Sequence, residues 1–215
     1  MKALLLADFY QAKKYSRNLL LVMAVFAVIT VVINRSEGLN LFFPVYAMLM
    51  SSLVSMNLLA YDEQSKWNIY AQTMPFTRRQ QVTVKYLDTL ICAAAMWLVF
   101  TIVFAVMAVV RHGSLADVLV LSAVLPAMGL LPAAVLLPVV FRYGVTKGRI
   151  VYFIVIIVIA GTGGAIGAMA EDVTSLPALP AMPGWLMAVL PMVISAALYA
   201  LSWALAIRWY EKREL

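Results

Sequence analysis

The stretch 87–110, LDTLICAAAMWLVFTIVFAVMAVV, is apolar almost from end to end. About 20 such residues in a helix cross the roughly 30 Å hydrocarbon core, and a helix satisfies its own backbone polar groups where there is no water. The stretch is therefore expected to cross a bilayer. Similar runs flank it at 39–60 and 117–140, and three more lie at 19–33, 150–170 and 185–207. The fold class expected is an all-α integral membrane protein with six transmembrane helices, forming a single transmembrane domain over residues 1–215.

Composition agrees with that pattern. Hydrophobic residues make up 65% of the 215, charged residues 12%, and the mean hydropathy is +0.95. Such a chain cannot present a conventional polar surface to water, and six spans with short loops leave no length for a soluble domain. The net charge of +6 does not point to nucleic acid, because no basic stripe interleaved with aromatics stands outside the apolar runs. Cys92 is the one cysteine and lies inside a span, which excludes an internal disulfide and a thiolate metal cluster. The block 19–33 is short for a crossing unless Tyr15 and the stems of Lys14 and Arg17 snorkel at one end. Asn34-Arg35-Ser36 after it offers no small-residue cleavage site, so the block is expected to be retained rather than removed as a signal peptide.

Lys and Arg alternate between segments with a strong bias. Lys2, Lys13, Lys14 and Arg17 lie before the first span; Lys66, Arg78, Arg79 and Lys85 lie in the 61–86 loop; Arg142, Lys147 and Arg149 in the 141–149 loop; and Arg208, Lys212 and Arg213 in the tail. Arg35 and Arg111 occupy the alternate set, and the 171–184 loop has neither residue type. The positive-inside rule places both termini and the 61–86 loop in the cytoplasm. Residues 2–17, with Leu5, Leu6, Phe9 and Tyr10 on an apolar side and Lys13, Lys14 and Arg17 for anionic headgroups, are expected to lie along the inner surface as an interfacial helix.

Helix breakers punctuate the spans. Pro126, Pro132 and Pro138 recur every six residues in the fourth, and Pro44 and Pro191 fall near the outer ends of the second and sixth. Each removes a backbone donor, giving either fixed curvature or a hinge. Gly161-Thr162-Gly163-Gly164-Ala165-Ile166-Gly167 lacks the lysine and the preceding strand of a nucleotide loop, and reads as a small-residue face for close helix approach. Pro177, Pro180 and Pro183 suggest a stiff outer cover or a simple linker. Ser51, Ser55 and Asn57 in the second span, with Ser52, are the richest polar content in any span; they serve interhelical hydrogen bonds or line a translocation path.

The 61–86 loop carries the most local information. Trp67, Tyr70, Ala71 and Met74 fall at helical spacing on one face, and Pro75 ends that short helix. Thr77, three residues before Gln80, has capping-box spacing and is expected to start a helix that runs into the third span. Arg78 and Arg79 then stand in a first turn where the helix dipole disfavours cations, so anionic headgroups or an acidic partner are expected to hold them. Asp62 and Glu63 are expected to cap the short helix or pair with Lys66.

The order Asp62-Glu63, Lys66-Trp67, Tyr70, Met74-Pro75, Thr77-Arg78 and Lys85-Tyr86, set in this topology, resembles the permease subunits of bacterial ABC-2 type exporters, especially the compact six-helix kind. The resemblance covers the whole chain, with its motif content mainly in 61–86. It implies that Asp62, Glu63, Lys66, Trp67, Tyr70, Met74, Pro75 and Arg78 contact a separate ABC ATPase as a coupling helix, with Arg142, Lys147 and Arg149 as a second, smaller contact. It further implies a second permease copy or sibling as partner in a bacterial cytoplasmic membrane, with ATP and Mg bound by the ATPase. The outer segment between spans five and six is short for that family, so a substantial pair of outer helices is not expected.

The function expected is export of an amphipathic or hydrophobic molecule, such as a peptide, a lipid-like compound or a drug. No P-loop is present, so this chain is expected to carry no ATPase site, no cofactor and no metal. The alternative is a substrate-binding membrane subunit of a vitamin uptake transporter, which would need a polar pocket near the outer face. An intramembrane enzyme is disfavoured because His112, the sole histidine, lies in a loop beside Arg111.

Overall fold

The computed structural model describes residues 2–15, 17–33, 41–67, 77–110, 112, 114–171 and 184–212. The described residues form seven helices: α1 (Lys2–Tyr15), α2 (Arg17–Ile33), α3 (Phe42–Gln64), α4 (Arg78–Val110), α5 (Leu115–Tyr143), α6 (Val145–Glu171) and α7 (Gly184–Glu211). No strand occurs among the described residues.

From α3 to α7 successive helices alternate in direction. The start of α4 meets the end of α7, where Arg78 reaches the Tyr210 carbonyl, and further along the same pair Tyr86 meets Ser202. The end of α3 meets the start of α6 through Glu63 and Val145. Trp97 of α4 donates to the Ser122 carbonyl of α5 at 2.9 Å, which ties a late turn of one helix to an early turn of the next.

Helix α5 is the hub, packing against α3, α4, α6 and α7. In its most apolar window 72% of residues are buried, against 22% in that of α4, so α5 is the span the others surround. Pro126, Pro132 and Pro138 are all buried and the helix runs through each of them. Neighbours on every side hold the turns where the proline donors are missing. Pro44 is the third residue of α3, where a backbone N–H has no intrahelical acceptor to lose.

The outer faces are inverted relative to a soluble protein. Ile91, Leu98, Ile102, Val106 and Val109 of α4 are exposed, as are Phe153, Ile154 and Ile157 of α6 and Val193, Leu201 and Leu205 of α7. Apolar stripes of this extent are stable against lipid and not against water.

Among the described residues four helices are long and apolar enough to cross a bilayer: Phe42–Gln64, Arg78–Val110, Val118–Tyr143 and Val189–Glu211. These meet the second, third, fourth and sixth expected spans. The first expected span falls short alone, because α2 has 17 residues, about 26 Å at 1.5 Å per residue. It gains length only if Leu4–Ala12 and Arg17–Ile33, bent by 63°, act as one broken span. The fifth expected span lies in α6, which has 27 residues. The small-residue face expected at 162–167 lies outside the described side chains, while Gly161 faces open space. Pro177, Pro180 and Pro183 lie outside the described residues.

Candidate functional site at the basic end

One end of the bundle gathers α1, the end of α3, the start of α4, the α5–α6 turn and the end of α7. These are the segments that hold the basic residues counted above. At its centre Lys85 is 6% exposed and makes two ion pairs, to Asp8 Oδ1 and Asp62 Oδ2, each at 2.8 Å. Asp8 belongs to α1, Asp62 to the last turn of α3 and Lys85 to the third turn of α4. One ammonium thus ties three helices together. Asp88 follows one turn after Lys85, and its Oδ2 is buried with no hydrogen-bond partner, as is Asp62 Oδ1.

The chain leaves α3 by a sharp reversal directly above this group. Ser65 N–H donates to the Tyr61 carbonyl at 2.9 Å and Lys66 N–H to the Glu63 carbonyl at 3.2 Å. Lys66 adopts a φ of 54°, a left-handed conformation that costs a non-glycine residue about 1–2 kcal/mol. The reversal brings Trp67 back to line a crevice with Asp8, Asp62 and Lys85.

The acidic pair at the end of α3 divides its work. Asp62 points inward to Lys85, whereas Glu63 points to the next turn of the bundle. Its carboxylate accepts the Val145 N–H, at 3.1 Å to Oε1 and 3.3 Å to Oε2, and so caps the N-terminus of α6 with a negative charge. The turn there is a single residue, Gly144, with a φ of 87° and an N–H bonded to the Val140 carbonyl. A glycine satisfies that left-handed position without strain, and a side chain there would crowd Glu63 Oε1 at 3.3 Å.

Helix α4 begins as the sequence spacing predicts. Thr77 N–H donates to Gln80 Oε1 at 3.2 Å and Gln80 N–H to Thr77 Oγ1 at 3.3 Å, a reciprocal capping box. Arg78 Nη1 donates to the Tyr210 and Glu211 carbonyls at 3.3 and 3.4 Å, placing a cation on the orphan acceptors at the C-terminus of α7. Further along, Gln81 accepts from the Tyr210 hydroxyl, Thr83 Oγ1 accepts from Trp203 Nε1, and the Tyr199 hydroxyl donates to the Tyr86 carbonyl. The α4–α7 pair is thereby zipped over three turns.

This geometry meets a family signature. The model of the ABC-2 family transporter proteins matches residues 3–211. The chain belongs to the ABC-2 transporter family. Nothing among curated proteins or solved structures matches it. An ABC-2 permease is a membrane transport component rather than the ATPase itself, and membership implies an ABC ATPase as partner.

Within this ABC-2 chain the expected site residues take distinct places. Asp62, Glu63, Lys66 and Trp67 converge at the end of α3, and Arg78 opens the next helix, while Tyr70, Met74 and Pro75 lie outside the described residues. Among the described residues Asp62 and Glu63 make no pair with Lys66, and the short helix they are expected to cap lies outside the described residues. Lys85 and the α6 N-terminus draw them instead, because both present positive charge where little water reaches it. Arg78 reaches the carbonyls of α7. Of the second cluster, Arg142 stacks over Trp209 at 4.7 Å, Lys147 lies over the Tyr143 ring at 5.5 Å, and Arg149 shares a cavity of about 160 Å³ with Asn57, Tyr61 and Gln64.

The polar residues of the second span separate. Ser51 is fully buried, donates to the Met48 carbonyl at 2.6 Å and faces Gly129 of α5, where an added Cβ would lie 3.0 Å from its hydroxyl. Ser55, also fully buried, shares a hydrogen bond with the Thr89 hydroxyl of α4. Both serve close helix packing, and Asn57 alone of the three opens on a cavity.

Sequence reasoning missed Asp8, Lys85 and Asp88 as one group. The signal was present: a lone acid in an otherwise basic N-terminal helix, and a Lys and an Asp one turn apart where α4 enters its apolar run. What hid it was the distance of 77 residues between Asp8 and Lys85.

Proposed function

We propose that this chain is the permease subunit of an ABC exporter, crossing the membrane six times with both termini and the basic end in the cytoplasm. The ATPase is a separate chain, which binds ATP and Mg and docks on residues 61–78, with Asp62, Glu63, Lys66, Trp67, Tyr70, Met74, Pro75 and Arg78 at or beneath the contact. Arg142, Lys147 and Arg149 form the smaller contact. A second permease copy or sibling completes the transporter, and the cargo is an amphipathic or hydrophobic molecule.

The observation that carries this reading is the wiring of the turn at 62–67. Asp62 reaches α1 and α4 through Lys85, and Glu63 reaches α6. A push on this turn therefore acts on several helices at once, through buried ion pairs and a helix cap rather than through loose loops. The polarity of the bundle supports the orientation, because the segments rich in Lys and Arg meet at one end. Arg142 and Lys147, held over aromatic rings beside the capped α6 terminus, give the second contact a fixed surface.

The test is co-purification with an ABC ATPase encoded beside this gene. Lys66→Glu and Tyr70→Glu are expected to abolish the complex while the permease keeps its thermal stability. An undiminished complex in both variants removes the coupling assignment.

A further inference from the structure

Beside the ion group lies a cavity of about 500 Å³, walled by α1, α3 and α4. Its size falls in the roughly 300–1,000 Å³ range of small-molecule sites. Leu58 of α3 and Ile91, Ala95 and Met96 of α4 give it an apolar lining, and the acidic residues in its wall are Asp8 and Asp88.

Charge at that wall is out of balance. Asp8, Asp62 and Asp88 share the neighbourhood of one ammonium, and Lys85 is already bonded to the first two. Asp88 makes no ion pair among the described residues, and its buried Oδ2 has no donor. The Asp88 carboxyl meets that of Asp8, and three carboxyls around one ammonium at low dielectric are costly for the protein alone and attractive to a cation brought in from outside. The remainder of the cavity offers nothing to a polar molecule and much to an alkyl chain. Phe9 of α1, 65% exposed, and Ile91 of α4, 58% exposed, stand at its rim, so the entrance opens on the apolar outer face of the bundle.

We propose that this cavity binds an amphiphile with an ammonium head and a single apolar chain, the head beside Asp88 and Asp8 and the chain along Ile91, Ala95 and Met96. The site belongs to this chain alone and does not depend on the ATPase, so its failure would leave the transport reading untouched.

The test uses the purified full chain in an uncharged maltoside micelle. A long-chain alkylamine carrying a diazirine is compared with the alcohol and the carboxylate of the same chain, and labelled positions are mapped by mass spectrometry. Saturable labelling within 91–96 is expected, half-complete at about tenfold lower concentration for the amine than for the alcohol, as one charged hydrogen bond gives. Asp88→Asn should bring the amine to the level of the alcohol, and Ala95→Trp should abolish labelling by both. Equal labelling by amine and alcohol in the unaltered protein overturns the proposal without any variant. Labelling that survives Ala95→Trp in a folded protein also overturns it. Adding lysophosphatidylethanolamine, which has one acyl chain, tells two sources apart: displacement of the probe assigns the site to an amine-headed membrane lipid, and its persistence assigns the site to a free amphiphile.

Discussion

Replacing Lys85 by Met removes the one cation that, among the described residues, pairs with Asp8 and Asp62, and leaves both carboxylates buried. The methionine keeps the length and apolar stem of lysine, so packing changes little. With side-chain exposures of 8% for Lys85, 10% for Asp8 and 4% for Asp62, solvent does little to screen the pairs. Removing one partner from a buried group of this kind costs about 3–5 kcal/mol. For a chain of this length the midpoint of thermal unfolding moves by about 2–4 °C per kcal/mol, so a fall of roughly 6–20 °C is expected. The loss should be local before it is global. Helix α1 is held by Leu4 and by Asp8, so amide exchange within 2–15 should rise first. Replacing all three, as Asp8→Leu, Asp62→Leu and Lys85→Met, should recover most of the stability, because exchanging a whole buried ionic group for apolar residues is near neutral. The assay is thermal unfolding in detergent with hydrogen exchange on the same samples. A Lys85→Met protein within about 0.5 kcal/mol of the parent would refute the assignment of the group as a structural tie.

Glu63→Ala should cost about 1 kcal/mol and speed amide exchange at Val145, the N–H it caps; Glu63→Gln, which keeps the acceptor, should lose less. Arg78→Ala should fray the last turn of α7, read as faster exchange over 206–211, while Arg78→Lys should restore part of the protection through charge alone. Lys66→Gly should raise stability by up to about 1 kcal/mol, since glycine accepts the left-handed backbone, and Lys66→Val should lower it. Equal melting temperatures for Lys66→Gly and Lys66→Val would remove the claim of strain.

Much of the architecture was legible because long apolar runs can do little else. The positions of α3, α4, α5 and α7 follow from runs at 39–60, 87–110, 117–140 and 185–207, with α4 beginning nine residues before its run, at Arg78. The capping box at Thr77 and Gln80 was legible too, being a local pattern with a local cause. Asp62 and Glu63 stand out in the sequence as a pair, but the groups they meet, Lys85 and the α6 terminus, do not. Local reasoning offered Lys66, four residues on, and the bundle offered Lys85 and the α6 terminus, which only tertiary packing brings near. The same limit applies to Ser55 and Thr89, 34 residues apart, and to the cavity between α1 and α4, which no single helix discloses. The α1 segment was expected to rest its apolar side on the membrane surface; its buried residues are Leu4 and Asp8, and Leu6, Phe9 and Tyr10 remain outward.

The most direct test of the coupling role is a cross-link from the α3 turn to the ATPase. A photoactivatable residue placed at Lys66, which is exposed at the reversal, should form an adduct with the ATPase subunit in isolated membranes, and one placed at Val109 on the apolar face of α4 should not. Absence of the adduct at Lys66, together with labelling of a cysteine at that position by a membrane-impermeant maleimide added outside intact cells, would contradict both the docking site and the orientation.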